Sequence, residues 1–206
     1  MRGNRLSQFG IVLWAVTIVA AFGFLAAYDQ APGPSPKSVS KLPANFDLPA
    51  KPGSHVLLMF LHPKCVCSQA SVGELEKILS HAPDSVEVCL YFYKPAGKPD
   101  EWTRTGLYET ARRNGWTIRV DEDGAIARRL GAETSGHVLI FDSARNLSFS
   151  GGVTASRGHW GDNESARAAS GALLETANSA STRPVFGCEI LGETPARPIP
   201  PDISSR

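Results

Sequence analysis

The chain has 206 residues, room for one ordinary domain with appendages. Its 21 lysines and arginines stand against 20 acids, so no global field draws it toward nucleic acid or acidic lipid, and no nucleic-acid partner is expected. Four cysteines are too few for a disulfide-framework miniprotein but enough for a redox pair or a partial metal site.

Arg2 and Arg5 are followed by no charged residue until Asp29. The uncharged, apolar run Gly10–Tyr28 is close to the roughly 20 residues that cross a bilayer as a helix. Positive charge before the run and none just after it puts residues 1–9 in the cytoplasm and the remainder across the membrane. A cleaved signal peptide is the alternative, with a small-x-small triplet at Ala21–Gly23, but that triplet lies inside the apolar run. Both readings export the domain, and the expected location is the inner membrane, single-pass, with the domain in the periplasm or outside the cell. Residues 29–53, rich in proline, serine and alanine and without apolar periodicity, predict a linker whose last part packs on the domain edge.

From residue 54 the pattern alternates. "HVLLMFL", His55 to Leu61, is a continuous apolar run suited to a strand buried on both faces. Val72, Leu75, Ile78 and Leu79 then recur at helical spacing within 67–81. Residues 85–93, β-branched and aromatic, predict a second strand, and 101–115 a helix closing at Gly115. A short strand "WTIRVD" and a short helix "DGAIARRLGA" follow. "HVLIFDSARNLSFSGGV" reads as two strands about a turn, and 163–180 as a last helix capped by Asn163. This order predicts an α/β layered domain over 54–182, a mixed central sheet with helices on both faces, and an irregular tail, 183–206, carrying Cys188.

The chemistry centres on "FLHPKCVCS". Cys65, at a helix entrance, faces unpaired backbone N–H groups and the positive end of the helix dipole, both of which favour thiolate over thiol. Lys64 adds a positive neighbour, and His62 is placed to orient or acidify the thiols. Cys65 is thus the expected nucleophile. Cys89, between Val88 and Leu90 in a strand, is expected to be a buried, inert thiol, whereas Cys188 could return to the site as a resolving thiol or third ligand. The loop Thr154–Asn163 concentrates Arg157, His159, Trp160 and Asp162 and is a second candidate to line the site.

Over about Ser54 to Ala180 the sequence resembles the thioredoxin-like superfamily, and within it the membrane-tethered TlpA type. The resemblance rests on the strand ending in a cysteine, "LLMFLHPKC", and on Gly124, Ala127, Leu130, Gly131 and Asp142 in one register. "HPKCVCS" with "FSGGVTASRGHWGDN" is also similar to small RedB-type thioredoxin-like proteins. The resemblance implies a thioredoxin-like fold and thiol–disulfide exchange with exported or membrane proteins, without an organic cofactor. Two departures stand out. Ser68 occupies the position of the usual second cysteine, so the motif is Cys-x-Cys, and a Cys65–Cys67 disulfide would close a small, strained and more oxidising ring. Gly136, after Ser135, occupies the position of the family's cis-proline.

A metal reading competes. Cys65 and Cys67 with His62, His137 or His159 would offer soft thiolate and imidazole ligands suited to copper(I) or zinc. Copper-delivering Sco-type relatives use two cysteines and a histidine near the same strand, which makes Cys65, Cys67 and His137 the expected copper set. Their cysteines lie four positions apart, however, and Thr134 stands at the histidine position. A catalytically lapsed interaction module is the third reading.

Overall fold

The computed structural model describes residues 3–35, 37–48, 51, 53–175 and 179–191. Residues 176–178 of the predicted last helix, Arg2, and residues 192–206 of the tail lie outside the described residues.

The first helix, α1 (Gly3–Asp29), is exposed along the apolar stretch Ser7–Asp29, whose mean hydropathy is 2.4. It is long and apolar enough to cross a membrane, and it begins several residues before the predicted span.

The domain holds β1 (His55–Leu61), α2 (Ser68–Leu79), β2 (Val86–Lys94), α3 (Gly106–Arg113) and β3 (Thr117–Glu122). After these come α4 (Ala125–Leu130), β4 (His137–Phe141), β5 (Leu147–Gly151), α5 (Glu164–Leu173) and β6 (Ser181–Thr182). The strands form one mixed sheet in the order β3-β2-β1-β4-β5-β6. β1 is parallel to β2 and antiparallel to β4, which brings the end of β1 beside the start of β4, with Phe60 opposite His137. This is the mixed central sheet the element order predicts, in the thioredoxin-like arrangement the resemblance implies.

Every residue of β1 is buried, as its unbroken apolar run requires of a central strand covered on both faces. Leu57, Met59 and Leu61 point to one face with Val138 and Ile140, under Val72, Leu75 and Ile78 of α2, Leu107 and Ala111 of α3, and Ala169, Ala172 and Leu173 of α5. Val56, Leu58, Phe60, Leu139 and Phe141 point to the other, under Ala127 and Leu130 of α4. The short α4 cannot cover that face, and Leu42 from the linker and Ile190 from the tail complete it.

The linker therefore packs along more of its length than its composition predicts. Its Gly33 N–H donates to the Val185 carbonyl (2.8 Å), Leu42 N–H to Arg145 (2.9 Å), and Ser40 accepts from Leu147 (2.9 Å). Backbone hydrogen bonds, which proline and serine do not advertise as apolar periodicity, hold it down.

The predicted helix 101–115 is broken into a single tight turn, Asp100–Thr103, and α3. The Thr103 hydroxyl donates to the Asp100 carbonyl, closing that turn on itself, and Thr105 is extended at the α3 N-cap. The last helix ends at Leu173, where Glu175 takes a left-handed φ of 54°, rather than running to 180. Asn163 caps it as expected, its side-chain oxygen accepting from Ala166 N–H at 2.9 Å.

Candidate functional site

Three thiols meet at the edge where β1 ends and α2 begins. Cys65 lies in the turn after β1, its N–H donating to the His62 carbonyl (3.0 Å) and its carbonyl accepting from Ser68 N–H (3.2 Å). Cys67 is the N-cap residue of α2. Cys188 arrives from the tail, more than a hundred residues later. Its Sγ lies 2.8 Å from Cys65 Sγ, and the Sγ atoms of Cys65, Cys67 and Cys188 all lie within 4.8 Å of one another. All three are free cysteines, Cys65 buried and the other two half-buried.

The tail is directed there by backbone pairing. Ser135 N–H donates to the Cys188 carbonyl (2.8 Å), Ile190 N–H donates to the Glu133 carbonyl (2.8 Å), and Thr134 bridges Glu189. Gly187 is needed for this approach, because a Cβ there would stand 2.0 Å from the Ser135 carbonyl oxygen.

Ser135 is the hub. Its hydroxyl accepts from His62 N–H (2.7 Å) and pairs with the Ser68 hydroxyl (2.7 Å), joining the end of β1, the start of α2 and the tail. Ser68, standing where a second cysteine was expected, reaches Cys65 instead. Gly136 follows with φ +94°, its N–H donating to the Phe60 carbonyl (2.8 Å), and no described peptide bond is cis.

Burial by itself would raise the Cys65 pKa. Hydrogen bonds from the Cys188 and Ser68 side chains and from the backbone N–H groups of the same two residues outweigh it, and the pKa is lowered. Cys188 is pushed up by burial and by its bond to Cys65, and Cys67 is raised by burial and by the neighbouring Cys65 charge. Of the three thiols, Cys65 is the one whose ionised form the surroundings favour.

His62 and Lys64, expected to tune the thiols, make contacts of their own beside them. His62 stacks on Tyr93 (5.6 Å between centroids), its Nδ1 accepts from Lys64 N–H (3.2 Å), and burial followed by the Lys64 charge lowers its pKa. Lys64 Nζ is drawn over the Trp102 ring at 4.6 Å.

The expected metal set of Cys65, Cys67 and His137 is also corrected. Strand alternation turns His137 to the face of Leu139 and Phe141, away from α2. There its Nε2 bonds the Ser150 hydroxyl (2.9 Å), and burial lowers its pKa to about 4. His159 is exposed on its loop and outside the thiol group. The third sulfur-neighbouring donor is Cys188.

From the His159 loop it is Arg157 that reaches the site. Its Nη1 donates to the Gly187 carbonyl, its charge acts on Cys67 and Cys188, and its guanidinium lies 4.8 Å from the centroid of Tyr28. Its backbone N–H donates to the Asp29 carbonyl (3.0 Å), so one residue links the thiols to the end of the apolar helix. Its signal in the sequence was limited to an arginine in a glycine-rich loop.

Cys89 is buried in β2 and burial raises its pKa to about 11, which fits an inert thiol. A shallow cavity of about 190 Å³ beside Cys65 is lined by Pro63, Lys64, Val66, Gln69, Thr105 and Leu107, with Val66 78% exposed at its rim. A larger one, about 510 Å³, lies between α2 and α5 and holds none of the thiols.

No protein-family model matches the sequence, and no curated protein matches it. Among solved structures, the chain is similar to an uncharacterized conserved protein from Geobacillus kaustophilus, with a TM-score of 0.54 and 18% identity over 81% of this chain and 95% of that one. It is also similar to a hypothetical protein from Sinorhizobium meliloti (TM-score 0.49, 17% identity, 80% and 96% covered). A candidate thioredoxin from Neisseria meningitidis follows (TM-score 0.41, 18% identity, 69% and 87% covered). The last two superpose less well, and it is the first, with the strand order, that carries the likeness of fold.

Proposed function

We propose that this chain, whose domain has the thioredoxin-like fold, is a membrane-anchored thiol–disulfide oxidoreductase working outside the cytoplasm through Cys65 and Cys188. The observation that carries the reading is the pair of sulfurs 2.8 Å apart, one favoured as thiolate and the other held as thiol.

Acting as a reductant, the Cys65 thiolate attacks a sulfur of the partner's disulfide; one S–S bond breaks, a mixed disulfide forms, and the partner's other sulfur leaves as thiolate. Cys188 then attacks Cys65 sulfur and breaks the mixed bond. Its proton goes to a departing partner sulfur, so the partner gains two electrons and the Cys65–Cys188 disulfide holds the oxidised state. The reverse sequence oxidises a partner dithiol by the same bonds. Serine at position 68 leaves Cys188, rather than a residue of α2, as the resolving group, and Cys67 remains outside this exchange. Partners are exported or membrane proteins bearing thiols or disulfides. Arg2 and Arg5 ahead of the apolar helix support an inner-membrane anchor with its domain in the periplasm or outside the cell.

The test is a redox titration in glutathione buffers with thiol trapping and peptide mapping. A reversible two-electron Cys65–Cys188 transition within roughly −270 to −120 mV is expected. Cys188→Ser is expected to abolish that transition and to trap mixed disulfides on Cys65. A transition confined to Cys65–Cys67, or none, would overturn the reading; with none, the domain is an interaction module.

A further inference from the structure

Exchange of two electrons needs two thiols, yet three converge. We propose that the reduced protein binds one copper(I) ion through the sulfurs of Cys65, Cys67 and Cys188.

Three arguments point to that ligand. The donor set is all sulfur, and among the described residues no histidine or carboxylate joins the group. Soft thiolates select copper(I), whereas magnesium and calcium take oxygen ligands, and a closed zinc site takes four donors. The size also fits: sulfurs placed at about 2.3 Å from a three-coordinate ion stand about 4 Å apart, and these three lie within 4.8 Å of one another. An ion at the centre would widen the Cys65–Cys188 pair from 2.8 Å.

The donors are also held before any ion arrives. Cys67 is fixed at the N-cap of α2 and Cys65 by its turn, while Cys188 is fixed by the Ser135 N–H bond and the Thr134–Glu189 bridge. Ligands that need no ordering lose less entropy on binding. Three thiolates about a monovalent ion leave net negative charge, and the Arg157 guanidinium, bonded to the Gly187 carbonyl one residue before Cys188, offsets part of it.

Oxidation to a Cys65–Cys188 disulfide removes two of the three ligands, so copper and disulfide exclude each other. The site uses the same cysteines as the exchange reaction, but it stands whether or not a partner is ever reduced.

The experiment uses the full chain in detergent, reduced and anaerobic, titrated with copper(I) against a chromogenic copper(I) chelator. One ion per chain is expected, with X-ray absorption showing three sulfurs and no nitrogen. Cys67→Ser and Cys188→Ser are each expected to weaken binding at least tenfold, and the oxidised wild type to bind none. Two sulfurs only, a nitrogen ligand, unchanged affinity in Cys67→Ser, or a wild-type protein that fails to compete with the chelator would each overturn the site. The glutathione titration is read separately, so loss of copper binding with an intact Cys65–Cys188 transition refutes this inference alone.

Discussion

Ser68 shows how a single residue redirects a site. In the position of a second cysteine it cannot form a disulfide, but its hydroxyl and its N–H both stabilise the Cys65 thiolate. Ser68→Ala keeps the N–H and removes the hydroxyl. Loss of one hydrogen bond to a charged acceptor, worth about 1.5 kcal/mol, corresponds to about tenfold less thiolate below the midpoint. Alkylation of Cys65 by iodoacetamide at pH 7 is expected to slow by about that factor, with its pH midpoint moved upward; an unchanged profile would assign the stabilisation to Cys188 and the backbone. Cys65 and Cys67 were legible as candidate site residues because they sit together at a strand-to-helix junction. His137 was misplaced because its position at the start of a strand near the cysteines says nothing of the face its ring takes. Strand alternation decides that, and the ring points away from α2.

At the scale of elements, the tail is what completes the site. Among its described residues, 183–191, it forms no helix or strand beyond a single bridge at Glu189, yet its backbone bonds run beside β5 and then beside Thr134 and Ser135. The narrowest point is Gly187 against the Ser135 carbonyl. Gly187→Ala is expected to displace the tail at a cost of about 1–3 kcal/mol, the usual range for overpacking. Trapping in glutathione buffer is expected to recover Cys188 as a free thiol while the folded core persists by circular dichroism. Retention of the Cys65–Cys188 pair in that variant would show that the tail tolerates a shifted path. Strands β1, β2 and β4 were legible because their apolar runs are short and bounded, which is the signature of buried strands. The break in 101–115 was not, since a turn closed by the Thr103 hydroxyl leaves no mark in the apolar pattern.

For the whole molecule, the buried His137 makes stability depend on pH. Its folded pKa, about 4, lies below the roughly 6.5 of an unfolded histidine, because burial penalises the imidazolium. Between those values the unfolded chain binds the extra proton, so stability rises with pH there. The contribution is fully present above about pH 6.5 and is lost as pH falls through about 4, amounting to about 3 kcal/mol. Urea unfolding of wild type and His137→Gln at several pH values is expected to show that the variant lacks this slope; parallel curves would place the proton uptake elsewhere.

The sequence by itself determined the apolar N-terminal helix, the α/β order, the buried strand before Cys65 and the helix-entrance setting of that cysteine. Each of these is written in a local pattern: hydropathy over one turn or one strand, or the electrostatics of a helix entrance. Only the tertiary structure decided that Cys188 rather than Cys67 faces Cys65 most closely, that Ser68 and Ser135 hold the junction together, and that Arg157 joins the thiols to Tyr28 and Asp29. Those contacts join residues far apart in the chain through sheet register and backbone hydrogen bonds, and neither leaves a periodic trace in the order of the amino acids.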